Sequence, residues 1–367
     1  MSTEKNENLT SDLETKKSLD EELLSDEYSK EKKKNINYEQ VEKYSQTENE
    51  NYLDKNQSYD LTFEKEKRPV QRKGSLKDDA IEEKKGNYII SFGRAKSGKT
   101  TFQSFLLYYL THSNQYKSNL VISPEETATG WDAQRIYNEW MSNWQDGVFP
   151  RATAARENDI RELTISVKPK TGNLEKVDFS FLEISGELME KIMPSDDTDP
   201  ILIDTLIRYL KNENINYIFY LFIDPQTASE DDILFDNLFS FLKVNFSHLF
   251  YSMSLGIVIS KPEESLKIFK KSFPGYSHYV ELKGDLCEDY IERMTPRLFQ
   301  TLNSWDPQNR VQIMTMSLGE YDENDTQLLI RKEFYDIDRI FRWAYKQFTG
   351  QNLGLNWWQK FIKWIKE

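Results

Sequence analysis

Eight consecutive residues carry the clearest chemistry in the chain: Gly93, Arg94, Ala95, Lys96, Ser97, Gly98, Lys99 and Thr100. Two glycines at that spacing let the main chain turn tightly, so that successive N–H groups converge on one point. The lysine after the second glycine adds a compact positive charge, and the hydroxyl that follows is a hard oxygen ligand for Mg²⁺. Converging amides, an ammonium and a metal-ligating hydroxyl suit the phosphates of a nucleotide. Thr101 continues a helix whose positive N-terminal end strengthens the same field. NYIISF (87–92) before the loop is predicted as a buried strand, and residues 100 to about 109 as a helix. The motif therefore sits between a strand and a helix, as its chemistry requires.

The elements around the loop alternate from residue 87 onward between apolar strands and amphipathic helices. That alternation predicts a layered α/β domain; together with the glycine loop, the expected fold class is a P-loop NTPase with a mixed, mostly parallel sheet flanked by helices. NLVIS (119–123) is a candidate short strand. RELTISVKP (161–169) and KVDFSFLEIS (176–185) are predicted to form a hairpin, and INYIFYLFI and SLGIVIS two further buried strands. One helix is expected over about Glu288–Leu302, a last strand over 310–319, and helices over 335–348 and 356–366.

Composition limits the rest. The chain has 367 residues and a net charge of −13. Residues 1–86 carry 22 acidic and 17 basic side chains and no Trp, too polar to bury a core, so they are expected to be a long disordered tail. The predicted division is a charged tail (1–86), a nucleotide domain (87–320), a helical extension (321–350) and a Trp-rich amphipathic helix (351–367). The single cysteine, Cys287, excludes an intrachain disulfide framework. MSTEKNENLT lacks the apolar core of a secretory leader, and no apolar run reaches spanning length, so a cytoplasmic location is expected. Net acidity without a basic stripe argues against nucleic acid as a partner.

Beyond the loop, further short motifs fall in the order used by G domains, and the chain resembles the small-GTPase family. Glu183-Ile184-Ser185-Gly186 stands where that family has D-x-x-G, so the resemblance makes Glu183 the acid near Mg²⁺ and Gly186 the γ-phosphate sensor. Glu187 then replaces the glutamine that orients the attacking water. Thr153, in DGVFPRAT, takes the order of the first-switch threonine that closes over Mg²⁺, with Thr127 and Thr129 as competitors. Ser260-Lys261-Pro262-Glu263 stands for the base-reading [NT]-K-x-D, and Ser317 opens the counterpart of S-A-K. Arg94 or Arg151 would serve as an arginine finger in cis.

F-P-x-x-T before one strand and I-S-G-E after another also resemble bacterial G proteins of the double-GTPase group, found in conflict and defence gene clusters. The resemblance implies a switch that binds GTP with Mg²⁺ and hydrolyses it slowly. Lys99, Glu187 and Arg94 would be its catalytic side chains, and Thr100, Thr153 and Glu183 its metal ligands. Glu for Asp, Ser for Asn and Glu for Gln depart from the family pattern. An ATP-binding hydrolase and a nucleotide-bound scaffold without turnover therefore stay open beside it.

The ending NWWQKFIKWIKE places Trp357, Trp358, Phe361, Ile362, Trp364 and Ile365 on one helical face, opposite Lys360, Lys363 and Lys366. Such a face suits either docking on the domain or contact, through 353–367, with a partner or the inner face of a membrane. The tail and the switch region are the expected surfaces for a protein partner.

Overall fold

The computed structural model describes residues 81–122, 133–150, 161–170, 173–184, 186–190, 192, 200–305, 310–322 and 328–353. All belong to one of the chain's two units, Val70–Glu367. Thr127, Thr129, Arg151, Thr153, the tail before residue 81 and the amphipathic helix over 356–366 lie outside the described residues.

The elements run β1 (Gly86–Phe92), α1 (Lys99–His112), β2 (Tyr116–Val121), α2 (Ala133–Gln145), β3 (Arg161–Pro169), β4 (Val177–Glu183), α3 (Gly186–Met189), α4 (Pro200–Lys211) and β5 (Ile215–Ile223). They continue with α5 (Ala228–Asn245), α6 (Ser247–Ser252), β6 (Ser254–Ser260), α7 (Pro262–Ser272), α8 (Asp285–Met294), α9 (Pro296–Ser304), β7 (Val311–Met316), β8 (Gly319–Tyr321), β9 (Leu329–Lys332) and α10 (Tyr335–Thr349).

Seven strands form one sheet in the order β2-β3-β4-β1-β5-β6-β7. From β4 to β7 every pairing is parallel, while β2 and β3 add an antiparallel edge. The central strands β1, β5 and β6 are buried on both faces over most of their length, which is why they read as nearly continuous apolar runs. Along β1, Tyr88, Ile90 and Phe92 meet one core with β5 and α5, and Ile89 meets the other with Phe102 and Phe105 of α1. The result is a mixed α/β sheet with helices on both sides, consistent with a P-loop NTPase-like fold.

Four expectations need correcting. The core begins before residue 87, because Ile81 is buried and its carbonyl accepts from Asn212 Nδ2 at 2.8 Å. The helix expected over Glu288–Leu302 is two helices, divided where Pro296 removes an N–H and opens α9. The strand expected over 310–319 ends at Met316, where Asp336 Oδ2 takes the Ser317 N–H at 2.9 Å, and Gly319 starts a separate hairpin of β8 with β9. Finally, α10 is no extension of the domain. Ile337, Ile340, Phe341 and Ala344 are buried in the second core. Asp338 accepts from Tyr109 at 2.6 Å and Tyr116 at 3.0 Å, and from Arg342 at 2.6 Å, which ties α10 to α1 and β2.

Candidate functional site

Strand β1 delivers the loop 93–98 to the C-terminal edge of the parallel strands, where open α/β sheets bind ligands. Gly93 has φ of 155°, and a Cβ there would lie 2.8 Å from Ser97 Oγ and 3.0 Å from the Phe222 carbonyl. No larger residue fits without displacing β5. Gly98 caps α1, and Lys99 and Thr100 form its first turn, with Thr101 after them. Ala95 and Lys96 are exposed at the crest of the loop.

The ammonium of Lys99 is enclosed by the loop, donating to the Gly93 carbonyl at 2.7 Å and the Arg94 carbonyl at 2.6 Å. Burial lowers its pKa to about 8, opposed by the carboxylates of Asp231, Glu190 and Glu183. Thr100 Oγ1 donates to Glu183 Oε1 at 3.3 Å. Both residues line a cleft of about 240 Å³, with Gln103, Gly186 and Glu187. Two hard oxygens at one cleft match what Mg²⁺ takes from a protein alongside phosphate oxygens and water. Gln103 Oε1 is buried there without a hydrogen-bond partner, so the cleft floor has an acceptor to spare. These residues fit a divalent cation.

The segment after β4 presses on the loop. A Cβ on Gly186 would lie 2.4 Å from the Ala95 nitrogen, so only glycine permits the approach. Glu190 Oε1 accepts the Ala95 N–H at 3.2 Å and stands 3.6 Å from Arg94 Nε. The guanidinium expected to act as a finger is thus drawn to Glu190. Glu187 is exposed at the rim of the cleft.

The base-reading residues divide. Ser260 was expected to face a base, but it is buried and its hydroxyl is spent on the Ile223 carbonyl at 2.8 Å, tying β6 to β5. Lys261, in left-handed conformation at φ of 49°, holds Asp224 Oδ2 at 2.6 Å. Glu263 and Ser317, 54 residues apart, come together with Ser317 Oγ donating to Glu263 Oε1 at 3.3 Å. Behind this corner Asp231 is fully buried. It accepts from the Asp224 N–H at 3.0 Å and Thr227 Oγ1 at 3.3 Å. Burial pushes its pKa up to about 7, helped by Asp224, while those hydrogen bonds and Arg94 pull the other way.

Asp224, Glu190, Gln103 and Ser91 belong to the site and were not singled out from the sequence. Asp224 gave the best signal, a carboxylate closing an apolar strand before proline. Ser91 and Gln103 were polar residues inside apolar elements, a weaker sign.

No family model matches the sequence, and no curated protein matches it. Solved structures do match, among them the signal recognition particle receptor SRb-GTP/SRX complex from Chaetomium thermophilum. The identity is 12%, with a TM-score of 0.35, and the match covers 72% of this chain and 99% of that one. A superposition that loose shows neither family nor function.

Proposed function

We propose that the chain is a nucleotide-dependent switch that binds GTP with Mg²⁺ and hydrolyses it slowly. The observation that carries this reading is the contact of Thr100 with Glu183 at 3.3 Å beneath the glycine loop. Two motifs far apart in sequence supply hydroxyl, carboxylate and ammonium to one cleft. Bound phosphates would draw Lys99 from the loop carbonyls and take hydrogen bonds from the loop amides. Thr100 and Glu183 would hold Mg²⁺, which supplies positive charge to the β–γ bridge when bound.

Turnover in this reading is slow because of what stands beside Gly186. Glu187 can accept a hydrogen bond from water, but its carboxylate faces the charge of a γ-phosphate. Arg94 is held toward Glu190 rather than free to neutralise that charge. Hydrolysis without an activator is therefore on the order of 10⁻⁴ per second or below. A partner that supplies an arginine, meeting the surface around Gly186–Glu190, would raise it.

Base choice rests on Glu263, since Ser260 is spent within the sheet. A carboxylate can accept from guanine N1–H and its 2-amino group together, whereas adenine offers no such pair. A panel of GTP, GDP, ATP and ADP, scored first by binding and then by phosphate release, tests the reading. Tighter binding of ATP would make the chain an adenosine nucleotide hydrolase. Binding without phosphate release would make it a scaffold, and binding of none of the four would end the proposal.

A further inference from the structure

The floor of the cleft holds a polar pair that the G-domain motifs do not include. Gln103 is 1% exposed and Ser91 is 1% exposed, yet both line the cleft with Thr100 and Glu183. Gln103 Nε2 donates to Ser91 Oγ at 3.2 Å, which fixes the carboxamide and leaves Oε1 buried with no partner. Exchanging the amide O and N leaves the other end unpaired instead, so either orientation strands one polar atom. A stranded amide in a core is destabilising, a cost that a leucine there would avoid.

The placement of the pair gives that cost a use. Gln103 follows Thr100 by three residues on α1, so the two side chains share a face. Ile90 is paired with Leu182 in the parallel register of β1 with β4, which makes Ser91 and Glu183 the next residues along neighbouring strands. Gln103 and Ser91 therefore lie on the same side of the cleft as the proposed Mg²⁺ ligands, with the free end of the carboxamide buried just beneath its lining. Mg²⁺ keeps several waters when it binds protein, and those waters need acceptors of their own.

We infer that Gln103, anchored by Ser91, is a positioning residue for the divalent cation. Its unpaired oxygen accepts a hydrogen bond from metal-bound water and so completes the outer shell around Thr100 and Glu183. The inference rests on the proposed Mg²⁺-nucleotide reading of the cleft and adds a residue to it.

The test measures the Mg²⁺ concentration that half-saturates binding of fluorescent GTP and ATP analogues to the full chain, with binding in EDTA as the second readout. In Gln103→Met, which keeps the volume, half-saturation is expected to move about 10- to 100-fold higher, as loss of an outer-shell partner does elsewhere. Affinity in EDTA should stay unchanged. Ser91→Ala, which frees the carboxamide to rotate, should give a smaller shift in the same direction, and Gln103→Glu, which keeps an acceptor, should restore most of the response. A Gln103→Met protein with the wild-type Mg²⁺ response overturns the role of Gln103 alone. A wild-type chain that binds neither analogue, or binds them without any response to Mg²⁺, overturns the reading of the cleft and this inference with it.

Discussion

Ala95 gives its N–H to Glu190 Oε1 at 3.2 Å, so the loop proposed to receive phosphate is already hydrogen-bonded to a carboxylate of its own chain. The same oxygen lies 3.6 Å from Arg94 Nε. An incoming phosphate must displace it. Glu190→Ala should therefore bind the triphosphate about two- to tenfold more tightly, the value of one net hydrogen bond of about 0.5–1.5 kcal/mol. Equilibrium titration with a fluorescent analogue measures the gain, and equal or weaker binding would show that Glu190 does not compete.

Lys99→Ala should lose nucleotide binding while the domain stays folded. The ammonium contacts only the Gly93 and Arg94 carbonyls among the hydrogen bonds described for it, both in the loop itself. Its removal should cost less than about 1 kcal/mol and shift the thermal midpoint by a few degrees at most. Retained GTP and ATP binding in a folded variant would remove the phosphate-loop reading.

Glu263→Ala should separate the two bases. A site that pairs a guanine edge rejects a ligand lacking that edge, and loses the preference when its acceptor goes. GTP affinity should fall at least about tenfold with ATP affinity unchanged. Equal losses for both would show that Glu263 acts only by holding Ser317.

Asp231 makes stability depend on pH in a set direction. Its folded pKa is raised to about 7, so the folded state binds a proton that the unfolded chain releases from about pH 4 upward. The group's contribution therefore falls as pH rises from about 4 to about 7, by at most about 1.4 kcal/mol per unit, and is level above that. In Asp231→Asn this decline should disappear. Urea unfolding at pH 5 and pH 8 should show the variant gaining on wild type at the higher pH. An unchanged difference between the two would mean that Asp231 ionises normally.

The parts of this site that could be read from sequence are those whose meaning is local. The glycine loop needs only its own eight residues and the strand and helix beside them, and Gly86–Phe92 and Lys99–His112 flank it as expected. The hairpin of β3 and β4 was legible because both strands alternate between two environments. What escaped depends on residues distant in sequence. Ser260 looks like a base reader until the Ile223 carbonyl is found 37 residues away. The strand ending at Met316 looked longer because Ser317 and Leu318 suit a strand, and only Asp336 shows why it stops. Pro296 was a readable break in the helix. Gln103 gave only the faint sign of a polar residue inside an apolar helix, since its significance lies in an oxygen left without a partner.

The contact of Gly186 with the loop constrains regulation. With no space for even a methyl group between Gly186 and Ala95, a displacement of the loop toward Gly186 meets its backbone directly. Under the proposed function, a phosphate that moved one would press on the other, so occupancy of the cleft and the shape of the surface over Gly186–Glu190 would be coupled by a single free energy. Any protein that grips that surface in one arrangement must change nucleotide affinity by the same factor that the nucleotide changes its own. The strength of a regulator could then be measured from either side, by titrating nucleotide against it or it against nucleotide.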